Sequence, residues 1–231
     1  WIYDKVLERP DCSLHISTFM DNPFLSETLK QEIQRLKDTD PEYWRVYGLG
    51  LRGQNRSLVF KFQIVDEIPA TARFIAYGLD FGYASDPSSL CATYIDGDDM
   101  YCKELLYETG LTNQDIAKKL EQLGLDRRDE VFADSSEPKS IEEIHRMGWN
   151  IKGKKKYEIN YGIDLIRRYK LHITKESINA IRELESYKYV EDRNGNPTNK
   201  PVDQNNHFCD SLRYSVVHKL SYPNYGRYAI K

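Results

Sequence analysis

The chain has 231 residues, room for one full domain or a domain with a docked extension, and enough to bury a core without disulfide or metal staples. Lys and Arg number 33 against 36 Asp and Glu, a formal charge of −3 at neutral pH. That balance excludes a polybasic, histone-like DNA binder, whose affinity needs a large cationic excess, but leaves room for an enzyme that brings its cations as metal.

Apolar residues make up 40% and aromatics 12%, so the chain reads as folded rather than disordered. Cys12, Cys91, Cys102 and Cys209 stand apart with no CxxC pair, which points to a reducing compartment and away from structural zinc. No apolar run reaches the length of a membrane span, and no signal-peptide pattern is expected. The chain opens on Trp1 rather than Met, so a longer parent protein is expected.

In chain order, Asp21-Asn22-Pro23-Phe24 reads as a turn before an amphipathic helix with Leu25, Leu29, Ile33 and Leu36 on one face. A second short helix is predicted at Asp40-Pro41, with Asp as cap and Pro at the first position. Residues 47–53 read as a glycine-punctuated loop. Their GLGLRG is no dinucleotide fingerprint, since it does not open a helix after a strand, and no GxxxxGK[ST] occurs in the chain. Residues 57–68 read as extended up to Pro69.

Strands are predicted at residues 74–81, 89–95 and 100–107, the last two joined by the hairpin turn Asp96-Gly97-Asp98-Asp99. Thr112 caps a helix with Ile116, Leu120 and Leu123 on its apolar face, closed by Gly124. A short strand at 130–133, a helix at 138–147 ending at Gly148 and a basic loop at 152–156 follow. Next come a helix at 158–169, a strand at 171–173 and a helix capped by Ser177 with Ile178, Ile181 and Leu184 on its face. A polar excursion around Asn194-Gly195-Asn196-Pro197 leads to a last helix at 204–220. This order predicts an α/β fold: a mixed sheet flanked by helices, with the strand at 74–81 central, preceded by a short, mainly helical extension. The boundary is placed between residues 72 and 73, giving an extension over 1–72 and a sheet domain over 73–231.

Three acids sit where acids are expensive. Asp80 ends the apolar run Ala76-Tyr77-Gly78-Leu79-Asp80, Asp134 ends Val131-Phe132-Ala133-Asp134, and Asp210 lies one helical turn after His207. Hard divalent cations prefer oxygen ligands, and carboxylates converging from the ends of rigid elements are how a two-metal phosphodiester site is built. Taken singly, each residue has an ordinary reading: Asp134 as a helix cap, Asp80 as a turn residue, His207 as a structural histidine. Their joint occurrence in one mixed sheet favours metal.

The motifs resemble the nuclease domain of the large terminase subunit of tailed bacteriophages and prophages, a member of the RNase H-like superfamily. The resemblance is carried by Tyr77-Gly78-Leu79-Asp80-Phe81-Gly82-Tyr83 with Asp86-Pro87, then Ala133-Asp134-Ser135-Ser136-Glu137-Pro138-Lys139-Ser140 and Lys152-Gly153-Lys154. It closes with Asn206-His207-Phe208-Cys209-Asp210-Ser211-Leu212-Arg213-Tyr214. Asp21-Asn22-Pro23-Phe24-Leu25 and Tyr47-Gly48-Leu49-Gly50 resemble the join between that family's packaging ATPase and its nuclease.

The resemblance implies a two-metal endonuclease, using Mg²⁺ or Mn²⁺, that cuts double-stranded viral DNA during genome packaging. Asp80, Asp134 and Asp210 would be both the metal ligands and the catalytic acids. Asp80 would bridge both ions, Asp210 would complete the ion that activates water, and Asp134 the ion at the leaving oxygen. His207 would orient or handle protons beside them, and Glu137 and Asp86 are spare carboxylates. Residues 138–176 carry a net charge of +5, and Lys152, Lys154, Lys155 and Lys156 are the candidate contacts to the DNA backbone. Portal protein and small terminase subunit are the implied partners, with no membrane. The place is the bacterial host cytoplasm, transiently at the procapsid portal. Two alternatives stay open: another RNase H-like resolvase or strand-transfer enzyme, and a non-catalytic DNA or portal docking module.

Overall fold

The computed structural model describes residues 10–13, 15–39, 44–51, 58–153, 157–192 and 197–221. The protein divides into two compact units, Trp1–Arg56 and Ser57–Lys231.

The first unit is helical. A one-turn 3-10 helix, Phe19–Asp21, is closed by a reciprocal cap: the Thr18 hydroxyl accepts from the Met20 N–H, and Asp21 accepts from the Thr18 N–H at 2.7 Å. Helix α1 (Glu27–Thr39) follows. Its Ile33 and Leu36 are half-buried while Leu29 stays exposed, so the predicted apolar stripe is only partly covered within this unit. The predicted start at Asp40-Pro41 lies outside the described residues. Trp44–Gly48 forms a π-helical turn where the sequence reads in part as loop, with the Trp44 ring edge-on to Phe19.

The second unit holds nine strands and five helices among its described residues. The strands are β1 (Phe62–Val65), β2 (Arg73–Asp80), β3 (Ser88–Asp96), β4 (Asp99–Glu108), β5 (Val131–Ala133), β6 (Ile151–Gly153), β7 (Lys170–Thr174), β8 (Tyr189–Glu191) and β9 (Pro197–Pro201). The helices are α2 (Asn113–Gln122), α3 (Pro138–Arg146), α4 (Ile159–Ile166), α5 (Ile178–Ser186) and α6 (His207–Leu220). Seven strands make one mixed sheet in the order β1-β7-β4-β3-β2-β5-β6, and β8 and β9 pair as a separate two-stranded sheet. β3 is antiparallel to both β2 and β4, while the other neighbours in the large sheet run parallel.

Period-two alternation along the strands splits the core between the two faces. On one face Leu79, Leu90 and Ala92 meet Ile116 and Leu120 of α2, Ile144 of α3 and Trp149. On the other, Cys91, Met100, Cys102 and Ile173 meet Ile163, Leu184, Phe208 and Leu212 from α4, α5 and α6. Helices therefore cover both faces, as predicted. Among the described residues no helix is long and apolar enough to cross a membrane, and all four cysteines are unpaired.

Several local expectations change. β1, within residues read only as extended, joins the large sheet by pairing with β7. The middle strand is β3; β2 is interior, between β3 and β5. Lys152 and Gly153 belong to edge strand β6 rather than to a loop. Ser177 stands at the start of α5 without capping it, because its hydroxyl accepts the Glu104 N–H of β4 instead. The cap comes from Glu104, whose carboxylate accepts the Ala180 N–H at 2.6 Å.

Candidate active site

The parallel register of β2 and β5 pairs Leu79 with Ala133, so Asp80 and Asp134 occupy the next positions of neighbouring strands. Their direction follows from the same alternation. A side chain at Gly78 would run into α6, and Phe132 packs with Tyr214 of α6; two residues further along each chain lie Asp80 and Asp134. Helix α6 then presents His207, Asp210 and Tyr214 at spacings of three and four, on one face. Three separate elements converge on one spot.

The convergence centres on the buried Tyr214 hydroxyl. It lies 3.2 Å from Asp80 Oδ1, 3.4 Å from Asp134 Oδ2 and 3.4 Å from Asp210 Oδ2. No two of those oxygens can therefore be further apart than twice 3.4 Å. The second oxygen of each aspartate has a different donor. Asp80 Oδ2 accepts from His207 Nδ1 at 3.0 Å, Asp134 Oδ1 from the Ser136 N–H at 3.1 Å, and Asp210 Oδ1 from Arg213 Nη2 at 2.7 Å. The bond to Ser136 makes a local turn rather than the helix cap of the ordinary reading, since the N-cap position of α3 is Glu137, and Asp134 still reaches the cluster.

Helix α6 is held by tertiary contacts rather than by its own cap, since Asn206 makes no side-chain cap bond. Glu183 of α5 does that work: one carboxylate oxygen accepts from the N–H groups of Phe208 (2.7 Å) and Cys209 (3.2 Å). The other accepts from the Tyr107 hydroxyl at 2.6 Å. A carboxylate at a helix N-terminus satisfies orphan donors and favours the macrodipole. Below, small residues let the helix lie close to the sheet, with hydroxyls of Thr93 and Ser215 2.8 Å apart and Ser89 and Ser211 3.3 Å apart. Glu183, Arg213 and Tyr214 are the residues that sequence reasoning misses. Tyr214 leaves a readable trace, since 207, 210 and 214 share a helix face. Glu183 and Arg213 carry none, because their partners are set by packing.

Electrostatically the site is poised for a cation. Burial pushes the Asp80 carboxyl above the usual range and repulsion from Asp210 adds to this, while the His207 hydrogen bond pulls the other way. His207 is raised, chiefly by its hydrogen bond to Asp80, against the effect of its own burial. Burial and the surrounding carboxylates likewise push the Tyr214 hydroxyl up, so it stays a donor. Side chains of Asp80, Asp210 and His207 keep 15–18% of their surface exposed, which leaves the cluster open to a ligand.

Among the described residues, no group of three or more His, Cys, Asp and Glu side chains could hold a metal ion as it stands. The three oxygens surround a hydroxyl instead. The donor set nonetheless suits a hard divalent cation: three carboxylates, each oxygen with acceptor capacity beyond the one bond described.

The remaining candidates lie further out. Asp86 Oδ1 is 4.0 Å from His207 Nε2, and Glu137 accepts from the Ser140 hydroxyl. Both line an open cleft of about 590 Å³, with Tyr83, Asn113 and Glu143 also on its wall. Lys152 is engaged by Glu130 at 2.8 Å, and Lys219 pairs with the same carboxylate. Lys154, Lys155 and Lys156 lie outside the described residues.

Comparison with known proteins decides the family. A profile described as the terminase RNAseH-like domain matches residues 80–218, which run from Asp80 through Asp134, His207 and Asp210. The chain belongs to the terminase large-subunit nuclease family. Residues 1–51 match a second profile, phage terminase large subunit. The chain is 27% identical over 208 residues to the PBSX phage terminase large subunit of Bacillus subtilis strain 168, covering 84% of this chain and 48% of that protein. It is 29% identical over 213 residues to the terminase large subunit of Bacillus phage SPP1, covering 86% of this chain and 50% of that one. The chain thus spans about half the length of the curated relatives it matches. Among solved structures it is similar to the SPP1 large-terminase nuclease domain with bound Mn, at 25% identity and a TM-score of 0.60, over 69% of this chain and 97% of that one. The RNase H-like terminase fold expected from the motifs is the fold observed.

Proposed function

We propose that the unit carrying the sheet is a metal-dependent endonuclease that cuts double-stranded DNA during phage genome packaging. The observation that carries this reading is the convergence of Asp80, Asp134 and Asp210, from three different elements, around one hydroxyl. The similar SPP1 nuclease domain, solved with bound Mn, supports a divalent metal here as well.

Asp80, Asp134 and Asp210 are the residues that would hold two Mg²⁺ or Mn²⁺ ions. Bound there, the ions would supply the positive charge that favours attack of water on a phosphodiester and departure of the leaving oxygen. The protein's own part is positioning. Asp80, flanked by β3 and β5, is the acid best placed to be shared between two ions. His207 fixes the Asp80 carboxylate through Nδ1 and turns Nε2 towards Asp86, where it can hold a proton at the rim. Lys152, with Lys154, Lys155 and Lys156, is the proposed contact to the phosphate backbone, positioning DNA without reading bases. The match of residues 1–51 supports reading the first unit as the stretch leading in from a packaging ATPase. Portal protein and small terminase subunit are the proposed partners, and the host cytoplasm, transiently at the procapsid portal, is the proposed place of action.

The test is conversion of supercoiled plasmid by the purified protein in Mn²⁺ or Mg²⁺ without ATP. Nicked and linear products should form on unrelated plasmids alike and disappear in EDTA. Intact plasmid in both metals, or cutting that persists in EDTA, contradicts the proposal.

A further inference from the structure

We infer that Tyr214 is a positioning residue for the carboxylate cluster, its hydroxyl acting as the hub that holds Asp80, Asp134 and Asp210 together before any cation arrives. The inference rests on the nuclease reading only for its bearing on metal. The geometry is that of a shared clamp. Each aspartate has one oxygen on the Tyr214 hydroxyl and the other on a donor of its own: His207 Nδ1, the Ser136 N–H or Arg213 Nη2. A carboxylate held at both oxygens is restrained from rotating, and the one phenol proton can give that restraint to any of the three.

Of the three private donors, His207 and Arg213 belong to α6 and the Ser136 N–H follows β5, and each is described on one aspartate alone. Among the described residues, the Tyr214 hydroxyl is the donor common to all three. A phenol has one proton to donate, so at any instant one carboxylate takes the hydrogen bond, and the proton can turn from one of the three acceptors to another. Without that hydroxyl the three half-buried carboxylates would keep their separate donors but lose a contact that they share, and their mutual repulsion would favour their moving apart. The aromatic ring fixes where the hydroxyl sits: it is buried against Ile75, Ala76 and Phe132, and the Arg213 guanidinium lies 5.1 Å from its centroid.

The test is a set of double-mutant cycles on the metal-free protein, read by urea unfolding. Tyr214→Phe is combined with Asp80→Asn, Asp134→Asn and Asp210→Asn in turn. The hub predicts that the penalty of losing the hydroxyl shrinks in every Asn background, by about fivefold or more in the folding equilibrium, because one converging charge is gone. A ring that merely fills space would give the same penalty in all four backgrounds, and that result overturns the inference. Calorimetry with Mn²⁺ supplies a second readout: Tyr214→Phe should bind about 10–100-fold more weakly than wild type, as expected when an outer-shell partner is removed. Unchanged Mn²⁺ affinity also overturns it.

If Tyr214→Phe does not fold, adding Asp134→Asn should restore folding; a double variant that stays unfolded counts against the hub. A wild type that neither binds Mn²⁺ nor cuts DNA would sink the proposed nuclease, whereas coupling to all three aspartates in the metal-free cycles would still uphold the hub.

Discussion

Asp80→Asn should lower metal-dependent plasmid cleavage by about a thousandfold or more, equivalent to roughly 4 kcal/mol of transition-state stabilisation. The amide keeps the shape of the side chain and can still accept from His207 Nδ1. What it removes is the negative charge at the acid flanked by both neighbouring strands. In the metal-free protein that charge is already disfavoured by burial and by Asp210. Neutralising it should therefore shift urea unfolding by no more than about 1 kcal/mol in either direction, since a burial cost is relieved as a charged hydrogen bond is weakened. The paired measurement is cleavage rate and unfolding midpoint on the same preparation. Cleavage within tenfold of wild type would mean that Asp80 is not a ligand.

Gly78→Ala should destabilise the protein by about 3 kcal/mol or more, at the upper end for overpacking. An added Cβ would stand 1.7 Å from the Ser211 carbonyl oxygen of α6, and a main-chain atom cannot rotate out of the way. Helix and strand must separate, and with them Asp210 and Tyr214 move from Asp80. A displacement near 1 Å in such a site can cost about a hundredfold in rate. Gly153→Ala is the control: its Cβ would meet nothing closer than 3.4 Å, so its effect should stay within about 0.5 kcal/mol. Gly78→Ala as stable as wild type would mean that close helix–strand contact does not hold the site.

Where local chemistry decides, the sequence was a good guide. Gly97, at φ 57°, makes the turn between β3 and β4 at the expected place. Thr112 caps α2 in a reciprocal box with Asp115, and Asp80 and Asp134 fall at the ends of their apolar runs. What eluded it depends on partners far along the chain. Three-residue β6 owes its existence to pairing with β5, and Lys152 within it reads locally as part of a basic loop. The β8–β9 pair is short, with too few residues for alternation to be read. β3 rather than β2 takes the middle because β4 goes on to pair with β7. The site behaves the same way. Its three acids were visible as misplaced charges, but the parallel register that sets Asp80 beside Asp134 was not. Nor was the capping of α6 by Glu183, which comes from another helix altogether.

Crystals soaked in Mn²⁺ and measured at an anomalous wavelength test the central claim most directly. The account predicts two peaks about 4 Å apart, as two-metal sites require, one touching both Asp80 and Asp210 and the other both Asp80 and Asp134. Peaks elsewhere on the surface, with the three aspartates still gathered on the Tyr214 hydroxyl, would contradict it.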